Sequence, residues 1–138
     1  PSVAQGKIKV RVSHAGVNRA DILQRRGLYP GPEGYDPHRP GLEFAGVVAE
    51  CGAGVSRFNT GNRVFGITSG EAQAEFVVVD ERLAAVVPEG ISLEIAAAVP
   101  EAYVTAHDAL VTQAGLSEGE SVLIHAAASG VGLAACQI

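Results

Sequence analysis

The residues best suited to chemistry in this chain lie near its carboxyl end, where residues 121–132 read SVLIHAAASGVG. An apolar run leads into a cluster of small residues, and a segment suited to a helix follows. The pattern predicts a strand over residues 121–125, a tight turn, and a helix from about Val131. This is how a dinucleotide-binding βαβ unit begins. Small residues in the turn would let backbone N–H groups approach a pyrophosphate, and the helix N-terminus would add partial positive charge.

The turn departs from the usual three-glycine pattern. If Gly132 is the third glycine, Ala127 and Ser129 stand where the first two would be. Alanine and serine are the mildest replacements, although each adds a Cβ atom to a tight turn. A strand-to-helix turn of an ordinary α/β protein is the alternative. In a nucleotide site, Gly130, Val131 and Gly132 would supply the amides that face the pyrophosphate.

Groups for metal or thiol chemistry are sparse. The four histidines show no ligand spacing, and His125, at the end of an apolar run, is expected to be a buried core residue. Cys51 and Cys136 lie far apart without a partner motif, which indicates reduced thiols in a cytoplasmic protein.

Composition limits the possible partners. A chain of 138 residues with 47% hydrophobic and 18% charged residues can form one complete globular domain and part of another. The net charge of −5 and the lack of a basic stripe argue against nucleic acid as a partner. The sequence has no apolar run long enough to cross a bilayer, so we expect no membrane partner.

The first part of the chain has the pattern of a β domain. Period-two alternation and glycine-rich turns predict short strands, which suggests a barrel or sandwich. Asn18 is a suitable N-cap for one or two helical turns over residues 18–26. Residues 29–40 contain four of the seven prolines and are expected to form an irregular loop. The five predicted strands cover residues 7–13, 44–50, 62–67, 74–79 and 83–87.

The pattern changes to α/β beyond residue 90. Ser92 is expected to cap a helix that runs to Val99, Pro100 to interrupt it, and residues 101–113 to resume it until Gly115 ends it. We therefore divide the chain into residues 1–98, a β-rich domain, and residues 99–138, an interdomain helix followed by the first strand, turn and helix of an α/β domain.

Five ordered segments resemble the medium-chain dehydrogenase/reductase superfamily. They are NRAD at 18–21 with Arg25 and Gly27 beyond it, GLEFAG at 41–46, GNRVFG at 61–66, VPEAYVTA at 99–106, and the turn itself. Within that superfamily the chain is similar to the zeta-crystallin-like quinone oxidoreductases, in particular the branch that contains the animal tumour-suppressor-inducible enzyme. The similarity runs over essentially all of the chain.

The resemblance implies a mixed β and α/β fold, with a GroES-like β-barrel catalytic domain followed by the beginning of a Rossmann domain that binds NADPH. It also implies an active site between the two domains. By this comparison Pro1 lies inside the first section of the barrel and Ile138 in the first Rossmann helix. We therefore expect these 138 residues to be an incomplete chain that is inactive by itself.

The resemblance also implies roles for individual residues. Asn18 and Tyr29 would lie near the nicotinamide and the substrate as hydrogen-bond donors to a carbonyl oxygen, the alternatives being an N-cap and a ring that packs in the loop. Asp21 belongs to the same candidate catalytic group, where it is expected to brace the loop by accepting backbone N–H groups. Thr105 stands where this family contacts the nicotinamide ribose or amide, the alternative being a bond to a helical carbonyl.

Zinc-dependent relatives have a cysteine where this chain has Asn18 and a His-Glu pair where it has Leu42 and Glu43. Leucine cannot ligate a metal, and a neutral amide is a poor zinc ligand, so the resemblance together with these residues predicts a site without metal. Glu43 and Arg63 are expected to form an internal charge pair or to support a turn.

The function that follows is zinc-independent reduction of a quinone by NADPH. NADH stays an alternative, because the residue that distinguishes the two cofactors lies about 20 residues past the turn, beyond Ile138. An enoyl or alkenal reductase that acts on an activated alkene, and a non-catalytic crystallin-like module, are the other hypotheses. The family further implies a homodimer when the protein is full length.

Overall fold

A computed structural model describes residues 3–29, 31–36 and 38–138 of the chain. These residues divide into two compact units, of which the first ends at Pro100 and the second is Glu101–Ile138. No helix in the described part of the chain is both long and apolar enough to cross a bilayer.

In its described residues the first unit has five strands, two short α-helices and a 3₁₀ turn at Glu81–Leu83. The strands are β1 (Lys7–Ala15), β2 (Glu43–Cys51), β3 (Arg63–Ile67), β4 (Phe76–Asp80) and β5 (Ala84–Val86). Helix α1 (Arg19–Arg25) lies between β1 and β2, and α2 (Leu93–Ala96) follows β5. All five predicted strands are thereby confirmed, with ends that differ by one or two residues. The predicted helix at residues 18–26 is confirmed as α1 with Asn18 as its N-cap.

The strands form one antiparallel sheet in the order β4-β1-β2-β3-β5. Alternation places one face of each strand in the core: Ile8 and Val10 of β1 and Phe44 of β2 are fully buried. Phe58, in the loop after β2, packs against the same cluster and covers it. The sheet therefore fixes the start of β2, which carries Glu43, against the end of β1.

The sheet order places β4 and β5 at opposite edges. Among the described residues the sheet is therefore open, where the sequence pattern suggested a barrel or sandwich. Closure requires every strand to have two neighbours, and within the described strands β4 pairs with β1 and β5 pairs with β3.

The second unit is helical at both of its ends. Helix α3 (Pro100–His107) continues into a π-helical segment, Asp108–Gln113, and Gly115 follows with a φ of 65°. The predicted interruption is confirmed: α2 ends at Ala96, residues 97–99 are not helical, and Pro100 is the first residue of α3. Proline suits that place because a first-turn position needs no N–H donor. The helix predicted from about Val131 is confirmed as α4 (Gly130–Ala135).

The strand predicted over residues 121–125 is wrong. These residues are irregular or form a turn, and they pair with no other described segment. A strand needs a neighbouring backbone to complete its hydrogen bonds, and apolar content alone does not supply one. Leu123 is 81% exposed as a result. His125 is exposed too, which corrects the expectation that it is a core residue.

Candidate functional site

The amino end of α1 is held by a buried carboxylate. Asn18 is the N-cap, and Asp21, 6% exposed, stands three residues later. The Asp21 Oδ2 atom accepts the Asn18 backbone N–H at 2.7 Å, and Oδ1 accepts the Gly41 N–H at 2.8 Å. The prediction that Asp21 accepts backbone N–H groups is confirmed. One side chain thus fixes the start of α1 against the segment that leads into β2.

Asp21→Ala is expected to destabilise the protein, because it leaves the Asn18 and Gly41 N–H groups without their acceptor. At about 1–3 kcal/mol for each of the two donors left unsatisfied, we expect a loss of about 2–6 kcal/mol in the free energy of unfolding. Urea denaturation followed by circular dichroism measures it.

Asp80→Ala is the matched control for Asp21→Ala. Asp80 also accepts a backbone N–H, that of Arg82 at 2.9 Å, but it does so at the surface. The control should lose much less stability than Asp21→Ala. Equal losses in the two variants would show that burial of Asp21 does not set the effect.

The Asn18 side chain is oriented by a second buried carboxylate. Its Nδ2 atom donates to Glu43 Oε1 at 2.8 Å, and Glu43, the first residue of β2, is 3% exposed. A carboxylate only accepts, so the contact assigns the amide nitrogen, not the oxygen, to the Glu43 side. The nitrogen carries a second hydrogen, which the Asn18 amide can present to another acceptor.

Gly16 makes room for this carboxylate. A Cβ atom at Gly16 would lie 2.0 Å from Glu43 Oε1. Any side chain there would displace Glu43 or the strand end that precedes α1. The absence of a side chain at Gly16 is therefore part of what positions Asn18.

Leu42, beside Glu43, is 5% exposed and has no atom that binds a metal. Its carbonyl oxygen accepts the Thr68 N–H at 2.8 Å, which anchors the segment to the end of β3. Among the described residues no group of three or more His, Cys, Asp and Glu side chains is placed to hold a metal ion.

Two predicted residues of the first unit lie outside this network. Tyr29, in the loop after α1, is 45% exposed, and the structure shows no hydrogen bond from it to another described residue. Its role stays a prediction. Arg63 donates through Nη2 to the Ile91 carbonyl at 2.6 Å, so its predicted support of a turn is confirmed.

In the second unit, the small-residue turn leads directly into α4. Ser129 is the N-cap, and its Oγ atom accepts the Gly132 N–H at 3.1 Å. A Cβ atom at Gly132 would lie 2.4 Å from the Ala126 oxygen and 2.7 Å from the Ala127 Cα. Glycine at 132 is therefore required for the turn to close on the helix.

This geometry changes which backbone N–H groups we expect to bind a pyrophosphate. The Gly132 N–H is engaged by Ser129, so the candidate donors to a pyrophosphate are Gly130 and Val131, both exposed. Ala127 and Ser129 are also exposed at the turn. Thr105 is exposed on α3, and its contact with a cofactor stays a prediction.

A family model described as the alcohol dehydrogenase GroES-like domain matches residues 4–111. The chain belongs to this GroES-like family. Membership of the medium-chain dehydrogenase/reductase superfamily of oxidoreductases is thereby confirmed, together with the expected mixed fold that contains a GroES-like domain.

Relatives of this GroES-like chain have several names. Erythronolide synthase EryA2 of Saccharopolyspora erythraea is 50% identical over 130 residues, which are 94% of this chain and 4% of that one. The protein named synaptic vesicle membrane protein VAT-1 homolog of Danio rerio is 39% identical over 100% of this chain and 28% of its own length. Quinone oxidoreductase-like protein 2 of Mus musculus is 40% identical over 99% of this chain and 39% of its own length.

Solved structures give the same result for the fold. The human VAT-1 homolog-like protein has a TM-score of 0.88 at 36% identity, over 99% of this chain and 44% of that one. CurK enoyl reductase has a TM-score of 0.88 at 30% identity, over 99% of this chain and 43% of that one. Mycobacterial Rv1454c complexed with NADPH has a TM-score of 0.82 at 31% identity, over 99% and 42%. The chain thus spans less than half the length of each of these relatives.

The hydrogen bond between Asn18 and Glu43 is the contact of this site that the sequence did not reveal. Glu43 lies 25 residues from Asn18, and only the pairing of β1 with β2 brings the two together. The sequence signal nearest to it is Gly16, whose missing side chain leaves space for a carboxylate.

Proposed function

We propose that this protein is a zinc-independent reductase that transfers a hydride from NADPH to a quinone. The observation that carries the proposal is the Asn18 amide, fixed through its backbone by Asp21 and through its nitrogen by Glu43. Its second N–H is a preorganised donor for the quinone oxygen that gains negative charge as hydride arrives. A fixed donor of this kind stabilises the transition state without reorganising.

The residues of the α4 turn fit a nicotinamide cofactor. Ser129 caps the first helical turn, and Gly132 allows close approach of backbone to backbone. We propose that the N–H groups of Gly130 and Val131 donate to the diphosphate. When bound, the cofactor supplies the hydride. We propose NADPH because a relative of similar fold is complexed with it, with NADH as the alternative. Thr105 and Ala127 complete the proposed cofactor group.

Hydride transfer without metal suits a quinone, whose reduction leaves an aromatic product. Leu42 supports hydride transfer without a metal, because the leucine side chain beside Glu43 has no atom that can bind a metal ion. Tyr29 is proposed as a second donor to the substrate. The resemblance to quinone oxidoreductases and the 40% identity to the mouse protein of that name support the quinone.

An enoyl reductase is the second candidate, favoured by the similar fold of CurK enoyl reductase. The same Asn18 donor would then serve the carbonyl oxygen conjugated to the double bond.

The proposed function, with either substrate, also includes small-molecule substrates, a homodimer and a cytoplasmic location. It includes a catalytic domain at residues 1–98 and the start of a Rossmann domain at 99–138 as well.

Substrate comparison tests the choice. The protein made from its complete coding sequence would be assayed with NADPH against 1,2- and 1,4-quinones, 2-alkenals and an enoyl thioester. We expect the highest kcat/KM with a quinone. A higher value with the enoyl thioester would replace the quinone by the second candidate, and no oxidation of NADPH with any acceptor would refute a reductase.

Metal removal is expected to leave the reductase rate unchanged. Dialysis against a chelator, followed by the quinone assay and by elemental analysis for zinc, measures this. The expected result is activity within about twofold of the untreated enzyme, a difference in activation free energy below about 0.5 kcal/mol. Loss of activity that added zinc restores would contradict the proposed metal-free site.

A further inference from the structure

A side-chain hydrogen bond joins helix α3 to the end of α4 within the second unit. The Tyr103 hydroxyl of α3 donates to the side-chain oxygen of Gln137, which lies two residues past the end of α4. The two residues are 34 positions apart in the chain. The bond therefore connects two elements that local structure alone does not hold together.

This hydrogen bond borders the buried side of each helix. Ala106, three residues after Tyr103, is 1% exposed, and Ala134, three residues before Gln137, is 2% exposed. Residues three apart lie on the same side of a helix, so Tyr103 and Gln137 stand at the edges of these buried sides. Alanine packs closely but leaves helices free to slide and rotate, whereas a hydrogen bond is directional and fixes their relative position.

Each helix also carries part of the proposed cofactor group. Thr105 is exposed, and at about 200° around α3 from Tyr103 it lies on the other side of that helix. Gly130 and Val131, the proposed diphosphate donors, lie at the start of α4, about 10 Å along the helix from Gln137. The bond is thus placed to set the span between the two parts of the group, although neither of its partners belongs to that group.

We propose that Tyr103 is a positioning residue for the cofactor, whose bond to Gln137 holds the span from Thr105 to the α4 turn at the length that NADPH needs. The inference rests on the proposed binding of NADPH. A ligand that contacts both ends gains from a fixed span, because protein already in the binding arrangement loses no affinity to rearrangement. A ligand held only at the turn gains nothing from it.

NADPH and 2′-phospho-ADP-ribose test this difference. The second compound keeps the diphosphate but lacks the nicotinamide, so it engages the α4 turn and not Thr105. In the protein made from its complete coding sequence, we expect Tyr103→Phe to raise the Kd for NADPH about threefold to tenfold, the range of one hydrogen bond. The Kd for 2′-phospho-ADP-ribose should stay within about twofold of the parent. Isothermal titration calorimetry measures both.

Two further variants complete the design. Gln137→Met keeps the size of the side chain and removes the acceptor, so it should reproduce Tyr103→Phe, and the double variant should lose no more than either single variant. Tyr35→Phe is the matched control. It removes the same hydroxyl from a ring of the first unit that lies against Gly70, and it should leave both Kd values unchanged.

The outcomes separate this inference from the proposed function. Equal weakening of the two ligands by Tyr103→Phe would make Tyr103 a structural residue, and an unchanged Kd for NADPH would show that the span does not depend on it. Either result overturns the positioning role and leaves the cofactor proposal in place. No binding of NADPH by the parent protein would refute the proposed cofactor and this inference with it.

Discussion

Gly132→Ala is expected to abolish tight binding of NADPH. The added Cβ would lie 2.4 Å from the Ala126 oxygen and 2.7 Å from the Ala127 Cα, and both are backbone atoms that no rotamer can move away. The turn must open, which displaces the Gly130 and Val131 N–H groups. We expect a rise in Kd of at least about tenfold, equivalent to about 1.4 kcal/mol of binding free energy. Isothermal titration calorimetry of NADPH into the enzyme measures this.

Gly130→Ala is the matched control. It introduces the same methyl group two residues away, at the first position of α4, where a Cβ atom meets nothing within 4 Å. It keeps the Gly130 N–H that we propose as a diphosphate donor and leaves the turn closed, so its loss of NADPH affinity should be clearly smaller than that of Gly132→Ala. Calorimetry is run below the melting temperature of each variant, so that unfolding does not imitate loss of binding. Unchanged affinity in Gly132→Ala would show that the turn does not hold the diphosphate.

Elements that depend on local pattern could be predicted from the sequence. The strand β1 follows from strict alternation of polar and β-branched residues, and α1 from Asn18 as its N-cap. Both signals lie within a few residues, and tertiary packing agrees with them. The strand expected at residues 121–125 failed because a strand is completed by a partner backbone, which no described segment provides.

The candidate site was predictable only in part, for the same reason. Asp21 acts within one helical turn, so its use of backbone N–H groups could be anticipated. The contact from Asn18 to Glu43 depends on sheet register, and the buried position of Gln24 depends on what packs over α1. Burial of a polar residue on a short helix has no local signature. A glutamine in the last turn of a helix is normally an exposed residue.

Asn18→Ala tests the proposed hydrogen-bond donor directly. Removing a donor to the charge that develops in the transition state typically costs about 10²–10³ in kcat, and we expect a loss in this range with the quinone. The Kd for NADPH should change little, because the proposed diphosphate donors, Gly130 and Val131, are unaltered. Steady-state kinetics together with NADPH calorimetry separate the two quantities.

The control for Asn18→Ala is Asn62→Ala, which also removes an asparagine that is hydrogen-bonded near a turn. Asn62 Oδ1 accepts the Asn59 N–H at 2.9 Å and has no place in the proposed site. It should retain full kcat/KM. If Asn18→Ala also retained kcat/KM within about twofold, the amide would be an N-cap without a role in hydride transfer.

Glu43→Gln tests whether Glu43 is a positioning residue for the same amide. The glutamine keeps the size of the side chain and one acceptor oxygen, but it loses the charge that makes the bond to Asn18 Nδ2 strong. It also lets the Asn18 amide turn over and present its oxygen to the substrate. We therefore expect a fall in kcat of about tenfold, smaller than for Asn18→Ala, with KM for the quinone little changed. In the double variant the loss should equal that of Asn18→Ala alone, since Glu43 acts only through the amide. Additive losses would assign Glu43 a contact of its own with the reacting groups.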